Sequence, residues 1–225
     1  MQTGADANAG RETRSIKIKT ASVFNRTAEL AEKFAPEVAV GHSAGAAILA
    51  RMCIDRTIAP KLLVGLNAAL LPFDGMAAHF FPPMAKLLFL NPLAPRLFAW
   101  SADRTAVARL LEGTGSTIDR AGVDFYARLM GNHGHVAGAL GMMANWDLET
   151  LERDLSKLPV PMALIVARGD KAVSPSAADR IKRRLPQVRV EFVDGVGHLA
   201  HEEQPRMVAE WICGLAESAG AIEPS

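Results

Sequence analysis

The chain has few of the residues that define several common protein classes. Only two of its 225 residues are cysteines, Cys53 and Cys213, and no Cys-x-x-Cys pair occurs. A disulfide framework and a cysteine-based zinc site are therefore not indicated. Both cysteines fall in apolar helical patterns, so we expect buried, reduced thiols in a cytoplasmic protein. No cofactor and no metal ion is predicted.

Neither sign of charge is in excess, and no apolar run is long enough to cross a membrane. With 25 basic and 24 acidic residues the net charge is +1, which gives no electrostatic basis for binding nucleic acid. The most apolar stretch, residues 80–100, contains four prolines and two charged residues, so no transmembrane segment is expected. Residues 1–14 are polar and lack the apolar core of a signal peptide; we expect a disordered tail.

The most informative stretch is Val-Ala-Val-Gly-His-Ser-Ala-Gly-Ala-Ala at 38–47. A β-prone run is followed by Gly-x-Ser-x-Gly and then by a helix-prone run, the order of a nucleophile elbow. The elbow holds Ser43 in a strained turn, and we expect Gly41 and Gly45 to allow strand and helix to approach closely. The helix start, with the Ala44 N–H, faces any anion that forms beside the serine.

Strand and helix patterns alternate around this elbow, which predicts an α/β fold with a mostly parallel sheet flanked by helices. Further strands are expected at 15–19, 61–66, 160–166 and 189–193, and helices at 25–34, 44–55, 176–185 and 205–216. Between 72 and 148 only helical segments broken by prolines and glycines occur. We therefore divide the chain into a 1–14 tail, a core of 15–71 and 149–225, and a helical cap of 72–148.

Two further side chains lie where catalytic groups of such a sheet belong, at the carboxyl ends of strands. Asp170 follows the strand that ends at 166, and His198 follows the strand that ends at 193. The order Ser43, Asp170, His198 is that of a hydrolase nucleophile, acid and base. His198 would take the serine proton, and Asp170 would fix the imidazole tautomer.

The assignments of Asp170 and His198 have alternatives. Asp170 could be a turn residue and His198 a loop residue, although three matches in one chain order make chance agreement improbable. Asp194 is the alternative acid, but it is close to His198 along the chain. The alternative bases are His42, whose side chain should point away from the hydroxyl, and His201, one helical turn beyond His198.

Several segments resemble the α/β-hydrolase superfamily. Besides the elbow, these are Gly-Asp-Lys-Ala-Val-Ser-Pro at 169–175 and Gly-Val-Gly-His-Leu-Ala-His-Glu-Glu-Gln-Pro at 195–205. The segments 65–75, 81–86 and 138–148 are similar to one branch, the magnesium chelatase accessory proteins of bacteriochlorophyll synthesis. This resemblance implies a photosynthetic bacterium, a role near magnesium insertion into protoporphyrin, chelatase subunits as partners, and a location at or near the photosynthetic membrane.

The predicted cap is rich in aromatic residues and methionine. It holds nine of the thirteen aromatic residues and five of the nine methionines. Its apolar faces could bury an apolar substrate or a tetrapyrrole, or could simply pack on the sheet. The candidate substrate-binding residues are His42, Phe73, Phe81, Met84, Met142, Met143 and Trp146. We interpret His133-Gly134-His135 as a surface loop, because two histidines without a third ligand make a weak metal site.

The N-terminal part departs from the superfamily pattern. An oxyanion hole takes one N–H from the residue after the nucleophile and one from an early, usually His-Gly-rich loop. About 35 residues precede the elbow strand, and they contain no His-Gly pair. We therefore expect several early strands to be absent, either because the chain is truncated or mis-started at its N-terminus, or because it is a pseudo-hydrolase that keeps the triad but binds rather than cleaves. Two hypotheses follow: a serine hydrolase of apolar esters or acyl compounds, and a non-catalytic accessory protein that binds porphyrin or magnesium chelatase.

Overall fold

Four strands form a parallel sheet in the computed structural model, which describes residues 29, 33–72, 91, 93–94, 103–144 and 147–223. The strands are β1 (Val38–His42), β2 (Leu62–Leu66), β3 (Met162–Ala167) and β4 (Arg189–Val193), and they lie side by side in that order. All three pairings are parallel, so the carboxyl ends of the strands meet at one edge of the sheet. The predicted α/β fold is thereby confirmed.

Among the described residues, helices alternate with the strands and also lie between β2 and β3. They are α1 (Ala44–Ile54), α2 (Arg104–Gly113), α3 (Arg120–Met130), α4 (His133–Ala144), α5 (Leu148–Asp154), α6 (Ala177–Arg184), α7 (Ala200–Glu203) and α8 (Pro205–Ser218). A 3₁₀ turn, Leu155–Lys157, follows α5. In the described part of 72–148 every regular element is a helix. The division of the chain into tail, core and cap stays a prediction.

The central strands are buried on both faces because apolar side chains alternate between two cores. Leu63, Met162 and Leu164 point to one face, where they pack with α1, α5 and α6. Val64 and Ile165 point to the other face, where α8 covers them. Every residue of β2 and β3 is buried, as expected for strands read as continuous apolar runs. This burial fixes the sheet and the positions of its carboxyl ends.

The N-terminal predictions are only partly covered by the described residues. The strand predicted at 15–19 lies outside them. Of the helix predicted at 25–34, Glu29, Lys33 and Phe34 are helical, and the Phe34 side chain is 69% exposed. Among the described helices none is long and apolar enough to cross a membrane.

The two cysteines occupy different environments, which corrects one expectation. Cys53 is completely buried in α1, and burial raises the pKa of its thiol to about 11. Cys213 is exposed. It lies in α8 two residues before the buried Leu215 and therefore on the opposite side of the helix. The prediction of a buried thiol was right for Cys53 and wrong for Cys213.

Candidate active site

Ser43 lies at the sharp turn between β1 and α1. Its backbone angles are φ 49° and ψ −117°, a region that side chains larger than glycine seldom adopt. Three main-chain hydrogen bonds hold this turn: Ser43 N donates to Leu66 O (3.0 Å), and Ser43 O accepts from Ala69 N (3.1 Å) and Ala46 N (3.2 Å). The strained conformation expected of an elbow serine is present.

The two glycines of the motif have different roles. A Cβ atom added to Gly41 would lie 2.5 Å from Ala46 N and 2.6 Å from Ala46 Cα, so only glycine fits. A Cβ added to Gly45 would meet nothing within 4 Å. The expectation that both glycines permit close packing is correct for Gly41 and wrong for Gly45, because Gly45 already lies in the first turn of α1, away from the strand.

Asp170 and His198 meet at the carboxyl edge of the sheet. His198 Nδ1 lies 2.8 Å from Asp170 Oδ2, and the Asp170 side chain is 1% exposed. The other carboxylate oxygen, Oδ1, accepts from the N–H groups of Ala172 (2.7 Å) and Val173 (2.9 Å). These contacts orient the carboxylate so that Nδ1–H donates to it, which leaves Nε2 of His198 as the basic nitrogen.

The alternative acid and bases have other partners. Asp194 is 82% exposed and forms an ion pair with Arg168 at 3.2 Å. His42 Nε2 lies 2.9 Å from the carbonyl oxygen of His198, so it carries the proton of this hydrogen bond. The His42 ring lies between the rings of His198 and His201, with centroid separations of 4.6 and 4.5 Å.

Burial favours the neutral form of both neighbouring imidazoles. The pKa of His42 is lowered to about 4, chiefly by burial and then by the nearby His198, against the raising effect of its hydrogen bond to the His198 carbonyl and of Asp170. Burial also lowers the pKa of His201, whose Nδ1 has no hydrogen-bond partner among the described residues. Of the three histidines, only His198 has a buried carboxylate partner.

The lowered pKa of His42 predicts an acid-sensitive fold. An unfolded chain protonates this histidine near its ordinary pKa of 6.5, whereas the folded chain does so only near 4. The unfolded state therefore binds more protons between these values, and the free energy of unfolding falls as the pH falls through this window. Urea unfolding at pH 7 and pH 5 should show a smaller loss for His42→Gln than for the wild type. An equal loss in both proteins would contradict the assignment.

The other predicted site residues are distributed as follows. Ala44 is the first residue of α1, so its N–H has no acceptor within the helix and is available to an oxyanion. Met142 and Met143 are half-buried near the end of α4. Phe73, Phe81, Met84 and Trp146 lie outside the described residues. His133 and His135 are exposed as predicted, but they begin α4 and do not form a loop.

The Ser43 hydroxyl and the His198 ring are not joined by a hydrogen bond in the described part of the chain. Nucleophile–base hydrogen bonds are often long in free hydrolases and shorten when substrate binds. The two side chains share one edge of the sheet, because Ser43 directly follows β1 and the His42 ring next to it contacts the His198 ring.

Sequence reasoning missed one buried residue of this edge, Asn67. It follows β2 directly, is 2% exposed and has φ 44°. Its Nδ2 donates to the carbonyl oxygens of Gly197 (3.1 Å) and His198 (2.8 Å), and its Oδ1 accepts from Ala167 N (2.8 Å). The sequence did contain one signal for this residue, namely a polar side chain directly after the apolar strand β2.

A second feature that sequence reasoning missed is the segment 114–117 between α2 and α3. It contacts both the loop that carries Asp170 and the loop that carries His198. Thr114 O accepts from Lys171 N (3.0 Å), and Ser116 Oγ accepts from Leu199 N (2.8 Å). Glu203 accepts from Gly197 N (2.8 Å) with one carboxylate oxygen and from Thr117 N (3.1 Å) with the other.

Two glycines allow this close approach. A Cβ added to Gly115, at φ 86°, would overlap the Gly169 carbonyl, and one added to Gly197 would overlap the backbone of Gly115. The helices after β2 are thus attached directly to the loops that carry Asp170 and His198.

A cavity of about 470 Å³ lies beside Asp170, between the segments that follow β2 and β3. Ala68, Leu71, Pro72 and Val173 contribute apolar walls, and Lys171 contributes a cation. The size falls within the range of small-molecule sites. An apolar group with a polar end would fit these walls.

Comparison with known proteins agrees with this geometry. A sequence profile described as "Alpha/beta hydrolase family" matches residues 17–211. The chain belongs to the alpha/beta hydrolase family. It is also 39% identical over 184 residues to the "Magnesium-chelatase 30 kDa subunit" of Rhodobacter capsulatus, a match that covers 80% of this chain and 64% of that protein. The chain therefore spans less than two thirds of the length of this relative, and the predicted similarity to a magnesium-chelatase-associated protein is confirmed.

Solved hydrolase structures share the fold at low sequence identity. The epoxide hydrolase CorEH superposes with a TM-score of 0.69 at 14% identity, over 88% of this chain and 75% of that chain. A thermophilic esterase superposes with a TM-score of 0.65 at 18% identity, over 89% of this chain and 74% of that chain. At such identities these structures establish the alpha/beta hydrolase fold alone.

Proposed function

We propose that this alpha/beta hydrolase is a serine hydrolase of an apolar ester or related acyl compound, with Ser43 as nucleophile, His198 as base and Asp170 as acid. The observation that carries the proposal is the buried pair of His198 Nδ1 and Asp170 Oδ2 at 2.8 Å. A second observation supports it, because Ser43 has the strained backbone that projects an elbow hydroxyl out of its turn.

The chemistry follows from these positions. Ser43 Oγ attacks the ester carbonyl carbon while His198 Nε2 takes the hydroxyl proton, and Asp170 stabilises the imidazolium that forms. The Ala44 N–H at the start of α1 donates to the developing oxyanion. The imidazolium then returns the proton to the departing alkoxide, which leaves an acyl-serine. Water, activated by the same imidazole, hydrolyses the acyl-serine and releases the acid.

The relative from Rhodobacter capsulatus suggests where this chemistry operates. Its name associates it with magnesium chelatase, so we place the present chain near magnesium insertion into a tetrapyrrole. Chelatase subunits are the proposed partners. An apolar tetrapyrrole ester or acyl compound is the proposed substrate, and Met142, Met143 and the predicted residues Phe73, Phe81, Met84 and Trp146 would bind it.

A fluorophosphonate probe tests the enzyme directly. We expect the wild-type chain to form a phosphonyl-serine at Ser43, with fluoride released, because the probe reacts with a serine whose proton is removed by a base. Ser43→Ala should abolish labelling. Ser218→Ala, which changes an exposed serine at the end of α8, should label at the wild-type rate. Gel fluorescence and peptide mass spectrometry measure the adduct.

The name of the relative also favours a second candidate, a non-catalytic subunit that binds porphyrin or magnesium chelatase. The two candidates differ in the labelling experiment. A folded wild-type chain that is not labelled at Ser43 would reject the hydrolase. If Ser43→Ala then still restored bacteriochlorophyll formation in a strain lacking the gene, the subunit function would be favoured.

A further inference from the structure

The main-chain carbonyl of His198 is held by two side chains from other parts of the molecule. Asn67 Nδ2 donates to it at 2.8 Å, and His42 Nε2 donates to it at 2.9 Å. The first residues of α7 leave this oxygen unused, because Glu202 N and Glu203 N both donate to Leu199 O. Both lone pairs of the carbonyl are therefore occupied by side-chain donors.

The Asn67 amide also ties together the strands that lead to the acid and the base. Its Oδ1 accepts from the N–H of Ala167, the last residue of β3, three residues before Asp170. Its Nδ2 donates to consecutive carbonyls in the loop after β4. The orientation of the amide is unambiguous, since Oδ1 faces an N–H and Nδ2 faces two carbonyl oxygens. The side chain is almost fully buried, so these bonds are shielded from water.

The loop around His198 contains two glycines, and the His198 carbonyl adds a fixed point to those at Gly197 N, which donates to Glu203, and Leu199 N, which donates to Ser116. Gly195, with φ 75°, and Gly197 precede the histidine. Asp170 fixes the ring at Nδ1, but one hydrogen bond leaves the ring free to swing about that contact. A second fixed point at the peptide of the same residue removes this freedom and sets the direction of Nε2.

We propose that Asn67 and His42 are positioning residues for the catalytic base: they fix the His198 carbonyl and thereby direct Nε2 toward Ser43. The inference rests on the proposed hydrolase function and adds two residues to it. His42 thus has a role other than the substrate binding predicted from sequence, since its proton-bearing nitrogen is committed to the His198 peptide.

The test compares His42→Leu, which removes the donor, with His42→Gln, whose terminal amide can reach the same carbonyl. With p-nitrophenyl butyrate as substrate, His42→Leu should lower kcat by about 10- to 100-fold with KM unchanged, the cost expected of a misdirected catalytic group. His42→Gln should recover most of the lost kcat. Asn67→Asp, which keeps the shape but removes the donor, should also lower kcat without changing KM.

A spectroscopic measurement separates this inference from the hydrolase proposal. The proton on His198 Nδ1 gives a far-downfield NMR signal while it is held against Asp170, whether or not the chain turns over substrate. We expect a sharp signal in the wild type and in His42→Gln, and a shifted or broadened one in His42→Leu. If the wild type is neither labelled at Ser43 nor active, the hydrolase proposal fails. The comparison of the Nδ1 proton signals then tests by itself whether His42 positions the His198 ring.

Two results would overturn the inference. One is a folded His42→Leu protein with wild-type kcat in an active enzyme. The other is an unchanged His198 Nδ1 proton signal in His42→Leu. Asn67 is nearly fully buried, so Asn67→Asp could fail to fold; the half-buried His42 variants keep the test decisive in that case.

Discussion

Replacing Asp170 with asparagine should lower kcat for ester hydrolysis by about 10⁴-fold, the cost known for removing the acid of a serine–histidine–acid triad. The amide nitrogen can present an N–H where the carboxylate accepted one, which favours the wrong tautomer of His198. Nε2 would then carry the proton and could not accept one from Ser43. Steady-state kinetics with p-nitrophenyl butyrate measure the change.

Asp194→Asn is the matched control for this prediction. Asp194 is the alternative acid considered from the sequence, but it is exposed and paired with Arg168. Its replacement should leave kcat and KM unchanged, since exposed ion pairs contribute little. If Asp194→Asn lowered kcat as much as Asp170→Asn, the assignment of the acid would be wrong.

Gly41→Ala should destabilise the fold by about 3 kcal/mol, the upper part of the range for overpacking a core. The added methyl group would lie within 2.7 Å of three backbone atoms, Ala46 N, Ala46 Cα and Gly45 C. These backbone atoms cannot relieve the overlap by a change of rotamer, as a side chain could, so β1 and α1 would have to separate. Urea unfolding followed by circular dichroism gives the change in the free energy of unfolding.

Gly45→Ala is the companion variant from the same motif. Its methyl group would enter open space at the first turn of α1, where alanine is favoured over glycine by up to about 1 kcal/mol. We expect its unfolding midpoint to equal or exceed that of the wild type. If both substitutions destabilised the fold equally, the cost of Gly41→Ala could not be attributed to its contact with Ala46.

The sheet and its edge could be predicted because their signals are local. The strands at 62–66, 162–167 and 189–193 each consist of a short apolar or alternating run, and the helices at 44–54, 177–184 and 205–218 show apolar faces between turn residues. Once parallel strands were predicted, Asp170 and His198 had to lie at a common edge. The contact between them agrees with that reasoning.

Other features could not be predicted because they depend on contacts between distant segments. The hydrogen bonds from Asn67 span 100 to 131 residues of sequence, and no local pattern encodes them. The exposure of Cys213 depends on which side of α8 meets the sheet. The difference between Gly41 and Gly45 depends on the distance between β1 and α1, which Gly-x-Ser-x-Gly does not specify.

The contact of Gly115 with Gly169 and Gly197 limits how this member of the alpha/beta hydrolase family could be recombined with others. Helices α2 and α3 are not a separable module, because the segment between them forms part of the support for the acid and the base. A chimaera that takes substrate-facing helices from another hydrolase would retain its catalytic geometry only if its junctions spared residues 114–117. Changes in specificity are therefore best introduced within the helices rather than by exchanging them whole.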